Sequence, residues 1–165
     1  MRMKRTWWAA VAALTLVSGP AQATPPSGIV SATVWARAAF ADAVDLKLKV
    51  NEGNGEAVLH APDLQDTVMQ SIVFGPGGQT GWHSHPGPVV VLVKAGELTL
   101  YSADDPTCSG RTFSAGQAFI DRGRGHVHLA RNLSLAQNTE IWVTYFDVPP
   151  GAPFRTDAAD PGTCF

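Results

Sequence analysis

The polar–apolar pattern along the chain is one of short strands. Glu97-Leu98-Thr99-Leu100-Tyr101 alternates with period two, and so does Asp45-Leu46-Lys47-Leu48-Lys49-Val50. On an extended backbone such alternation sends one set of side chains to a core and the other to water. Val89-Val90-Val91-Leu92-Val93 is a continuous, mostly β-branched run and reads as a buried strand. Val68 to Phe74, Gln117 to Ile120, His126 to Arg131 and the aromatic-rich Glu140 to Val148 read as further strands. Between them lie turn compositions: residues 51–56 (NEGNGE), Gly75-Pro76-Gly77-Gly78, Ala103-Asp104-Asp105-Pro106 and Asp121-Arg122-Gly123-Arg124-Gly125. The stretch from Gly28 to Val50 is mixed. Ile29 to Trp35 is strand-like, Ala36 to Ala43 is alanine-rich and predicts a short turn, and Asp45 to Val50 predicts a second strand. Helical periodicity is almost absent, so the pattern predicts an all-β chain: an antiparallel barrel or jelly roll with helix a minor component.

One stretch adds chemistry to this pattern. Gly77 to Gly96 reads GGQTGWHSHPGPVVVLVKAG, with His83 and His85 two residues apart. Period two puts both imidazoles on one side of a strand, which is half a site for a divalent metal. Five residues separate Gly77 from His83, three lie between His85 and Val89, and six between Val89 and Gly96. This spacing resembles the first motif of the cupin superfamily, except that Val89 (Val90 on the longer count) stands where the family has glutamate. Gly116 to Asn132, GQAFIDRGRGHVHLARN, resembles the second motif through Gly125, His128 and Asn132. Here Gly123 occupies the family's proline position, and six residues rather than five separate it from Gly116. The resemblance covers roughly residues 64–150. It implies the double-stranded β-helix, or jelly-roll, fold, and it implies no single reaction.

The N-terminus reads as a targeting segment. Arg2, Lys4 and Arg5 precede the apolar run Trp7 to Val17, and Ala21-Gln22-Ala23 is a cleavage signal, so residues 1–23 are expected to be a signal peptide. A retained hydrophobic N-terminal helix is the alternative. Export to the periplasm or the medium follows, with residues 24–165 as one cupin β-barrel domain. The whole chain carries 12 Lys+Arg and 14 Asp+Glu, a net charge of −2. Losing the leader's three basic residues leaves nine against fourteen, or −5. That acidity argues against nucleic acid and anionic membrane as partners, and leaves a small molecule in the barrel and a homodimer as the associations considered.

The second motif's position adds His128 to His83 and His85, and the three are the expected metal ligands. Three imidazoles with an open remaining position suit a catalytic rather than a structural site. Without the glutamate the ion keeps its full double charge and is the stronger Lewis acid, while Val89 leaves an apolar wall. A weak or vestigial metal site is the other consequence of that departure. His126, two residues before His128, faces the interior if its strand is regular, as a fourth ligand, a base or, in preference, a pocket-lining residue. Trp82, like Trp35 and Trp142, reads as a core or pocket-wall residue. Asn132 starts a glycosylation sequon, but its place in the motif suggests that it closes the turn after the His128 strand. Cys108 and Cys164 are the only cysteines. An even count in an exported chain suggests one disulfide that pins the C-terminal tail, and two free buried thiols are the alternative.

Two functional classes stand. One is a small metal-dependent enzyme, for which the three-histidine dioxygenases among cupins are the model. The other is a non-catalytic module that holds a small ligand or the metal itself. Imidazole suits iron, zinc, nickel and copper alike, so the cofactor is read as a divalent ion, with iron, zinc, manganese, nickel and copper not distinguished.

Overall fold

A computed structural model of the chain describes residues 22–52 and 55–164. The expected leader lies outside the described residues but for Gln22 and Ala23. Twelve strands follow in order: β1 (Ser27–Ala38), β2 (Leu46–Glu52), β3 (Gly55–Ala61), β4 (Asp66–Gln79), β5 (His83–Ser84), β6 (Val89–Ala95), β7 (Glu97–Ser102), β8 (Arg111–Ser114), β9 (Ala118–Asp121), β10 (His128–Arg131), β11 (Thr139–Val148) and β12 (Thr156–Asp157). No helix occurs among the described residues. All pairings are antiparallel. The main sheet runs β12-β5-β10-β4-β11-β6-β9, with β1 on β4, β7 on β10 and β8 on β7, and curls into a nearly closed barrel. This is the all-β jelly roll expected from the alternation. The hairpin of β2 and β3 forms a separate two-stranded sheet around residues 51–56.

The core follows from the alternation within β6 and β11. Val89, Val91 and Val93 point inward from β6, and Ile141, Val143 and Tyr145 from β11, while Leu92 is exposed. With Phe74, Leu98 and Phe113 they make one continuous cluster. Full burial of each such side chain contributes about 1.5–3 kcal/mol. A second cluster of Trp82, Tyr101, Leu129 and Cys164 lies under the C-terminal tail.

Several local expectations are revised. β1 runs through Ala36 to Ala38 because it pairs along β4 over that length, so the alanine-rich turn starts later than its composition suggests. β4 continues through Gly75 to Gly78, which lie in an irregular stretch of the β1 ladder between the Ile29–Phe74 and Ser27–Gln79 pairs. β10 begins at His128, so His126 sits in the preceding turn, where its N–H donates to Gly123 O at 3.0 Å. Trp35 is neither core nor pocket wall: it is 60% exposed and stacks on Trp142 at 6.0 Å. The tail is pinned as expected. Cys108 and Cys164 are joined in a disulfide, and β12 lies against β5.

Candidate metal centre

The register brings the two motifs together. His83 on β5 pairs directly with His128 on β10, and directly opposed residues of an antiparallel pair share a face. His85 follows two residues after His83. The ring centroids lie 4.8 Å apart for His83 and His85, 4.3 Å for His83 and His128, and 5.2 Å for His85 and His128. All three rings are buried, and their potential ligand atoms fall within 4.8 Å of one another.

Their protons are placed by backbone carbonyls. His83 Nδ1 donates to Gly81 O at 2.9 Å and His85 Nδ1 to Phe154 O at 2.7 Å. A carbonyl only accepts, so each Nδ1 carries the hydrogen and each Nε2 keeps its lone pair. Burial pulls His83 well below the usual imidazole range, and the fields of His128 and His85 add to it. Burial likewise lowers His85, against the opposing pull of the Phe154 carbonyl. His128 falls to about 4, with burial again the largest cause. Three neutral imidazoles at neutral pH are the state that a metal requires. The donor set therefore fits a divalent ion.

Val89 is fully buried beside this group, and the inner space it shares with the three imidazoles is only about 30 Å³. A larger cavity of about 240 Å³ opens toward His83 and His85, walled by Ile29, Ile72 and Phe154 and edged by Gln70, Tyr145 and Arg155. Tyr145 Oη donates to Gln70 Oε1 at 2.8 Å, and burial pushes its phenol up. Arg155 donates to Thr80 O at 2.6 Å and pairs with Asp157 at 2.7 Å. The tail thus supplies both the acceptor for His85 and one rim of the cavity.

The other expected site residues lie outside this group. Trp82 packs in the second cluster with Tyr101 and Leu129, a core residue rather than a wall of either cavity, and its own backbone is tied down: its N–H donates to Thr24 Oγ1 and its carbonyl accepts from the Ala158 N–H. His126 has both ring nitrogens engaged: Nδ1 with Asp121 Oδ1 at 2.7 Å and Nε2 with Ser102 Oγ at 2.6 Å. It borders a separate open cavity of about 530 Å³ with Asp104, Arg122 and Arg124. Its ring nevertheless stacks on His128 at 5.8 Å. Asn132 is wholly buried and donates to Gly75 O and Gln137 O, closing the turn after β10.

One side chain in contact with the imidazoles, that of Asp121, escaped the sequence reading. Asp121 is 3% exposed, yet it is a carboxylate. Burial raises its pKa, but the His126 hydrogen bond and the neighbouring histidines outweigh that and hold it below the usual range. Its Oδ1 lies 3.5 Å from His128 Nδ1, and Asp121, His126 and His128 form a second cluster of metal-binding residue types. With His128 lowered to about 4, that contact is a carboxylate beside a neutral ring, not an ion pair. The strand ending in a charged residue directly before a glycine turn was the available signal.

No family model matches the chain, and no curated protein matches it. Solved structures do resemble it. Recombinant oxalate oxidase in complex with glycolate is 24% identical, over 55% of this chain and 45% of that one, with a TM-score of 0.45. The polyketide cyclase RemF from Streptomyces resistomycificus is 21% identical over 58% and 64%, at 0.46. A cupin domain from Bordetella pertussis is 21% identical over 63% and 92%, at 0.42. The chain spans less than half the length of the oxalate oxidase chains it matches. All these overlays are partial.

Proposed function

We propose that this chain, a cupin by its two motifs and its jelly-roll fold, is an exported protein that holds one divalent ion through His83, His85 and His128. The cavity of about 240 Å³ beside them takes a small molecule at the ion's open face. The observation that carries this reading is the convergence of three buried, neutral imidazoles, two of which have their protons turned outward to carbonyls. Buried histidines kept only for packing have no need to turn their lone pairs toward one another. The disulfide supports an oxidising compartment and, with the leader pattern, export.

A divalent ion bound by three neutral ligands would supply Lewis acidity to an oxygen or anion at its open position. The chain's own residues do the rest. The Gly81 and Phe154 carbonyls fix the rings of His83 and His85, while Ile29, Ile72 and Phe154 give the approach apolar walls. This arrangement suits a small metal-dependent enzyme of the three-histidine dioxygenase type, with a non-catalytic module that holds a small ligand as the second reading; the ligand-sized space beside the imidazoles disfavours only a module that stores the ion alone. The test is the visible spectrum of the cobalt(II)-loaded protein titrated with azide and acetate. Saturable shifts of its bands are expected as the anions enter an open position. Bands indifferent to both anions would mean a closed site and would overturn the reading.

A further inference from the structure

The chain departs from the cupin pattern at Val89 for glutamate, at Gly123 for proline, and by one added residue between Gly116 and Gly123. The structure joins the first two in one place. Val89 on β6 is paired directly with Asp121 on β9, so the two side chains stand side by side on the inner face. A carboxylate is therefore present next to the position that lacks one, carried by the neighbouring strand. Asp121 Oδ2 accepts the Gly123 N–H at 3.0 Å. A proline at that position has no N–H to give. Gly123 also has φ +62°, and a Cβ there would stand 1.8 Å from Gly87 O, so only glycine fits. The glycine and the aspartate make one unit.

We propose that Asp121 replaces the missing motif carboxylate as a positioning residue, acting on the metal through His128 instead of ligating it. The proposal rests on the three-histidine reading above. His128 Nδ1 is buried and has no hydrogen-bond partner among the described residues, and Asp121 Oδ1 stands 3.5 Å from it. The His126 carbonyl exerts a smaller pull on the same ring. His83 and His85 have carbonyls to fix their tautomers, and for His128 the buried carboxylate takes that part. A carboxylate behind a ligating imidazole keeps its proton on the far nitrogen and raises the basicity of the near one. The Asp121–His126 hydrogen bond and the Gly123 N–H hold that carboxylate in place.

The test uses the full-length exported protein and zinc as the probe. Imidazole nitrogen NMR of metal-free wild type should show His128 protonated at Nδ1, with zinc then taken at Nε2. In Asp121→Asn this preference should weaken, and zinc affinity, measured against a chromogenic chelator, should fall ten- to a hundredfold. His126→Gln, which keeps the carboxylate, should lose less. An unchanged His128 tautomer in Asp121→Asn would give the role to the His126 carbonyl and overturn the proposal. So would a His126→Gln loss equal to that of Asp121→Asn, or a wild-type His128 unprotonated at Nδ1. If Asp121→Asn does not fold, the wild-type spectrum still decides. Wild type that takes up no zinc would defeat the metal reading itself, and the metal-free tautomers would remain a separate test of Asp121.

Discussion

Stripping the metal and lowering the pH should destabilise the fold well before its carboxylates titrate. In the metal-free protein His128 is held at about 4, against an ordinary 6.5. The difference, about two and a half pKa units at 1.36 kcal/mol each, is about 3 kcal/mol. The unfolded chain takes up its proton near pH 6.5, whereas the folded chain resists until about pH 4, so protons favour unfolding across that window. Stability is complete above pH 6.5, is lost progressively below it, and the His128 share is gone below about pH 4. His83 and His85 are lowered by the same burial and steepen the fall. Asp121 and Asp104, held below their ordinary 3.8, act only at more acid pH. Against a total of roughly 5–15 kcal/mol, a loss of this size is readily measured. Urea midpoints taken in chelator at steps from pH 7.5 to 4.5 should fall continuously, and His128→Gln should flatten the curve. A wild-type midpoint constant from pH 7 to 5 would refute the claim that burial keeps these rings neutral.

Three further perturbations have defined outcomes. Cys108→Ala with Cys164→Ala opens a loop of sequence separation 56 and should cost about 4 kcal/mol in the chain-entropy model. It should also weaken zinc binding, since the tail carries the His85 acceptor; equal zinc affinity with and without the bridge would contradict that link. Gly123→Ala places a Cβ against Gly87 O in a left-handed conformation and should lower stability by more than about 2 kcal/mol, so an unshifted urea midpoint counts against it. Val89→Glu buries a charge in the core, so the metal-free variant should be less stable than wild type, and zinc should restore it and bind more tightly. Zinc affinity no better than wild type would show that the side chain at position 89 does not reach the ion.

The fold was legible because alternation and turn composition are local. Glu97 to Tyr101 and Glu140 to Val148 needed no partner to be read as strands, and each lies within an observed strand. The ends of β1 and β4 were not legible, because pairing between strands distant in sequence decides where extension stops. The histidine constellation was readable from two spacings, and the structure gathers it through the His83–His128 pair. His126 was placed on a strand because period two was extended past the true strand end, whereas Trp82 is the core residue its type suggested. Asp121 was invisible for a different reason: its significance lies in the register of β9 against β6, which no single stretch encodes. Phe154 belongs with it, as a backbone acceptor has no signature in side-chain type.

The most direct test of the metal centre is elemental analysis of the mature protein, purified from its exported compartment without added metal or chelator. One divalent ion per chain is expected in wild type, and close to none in His83→Ala, His85→Ala and His128→Ala, each first shown to keep a β-sheet circular-dichroism spectrum. Wild type and the three folded variants carrying the same metal content would contradict the account.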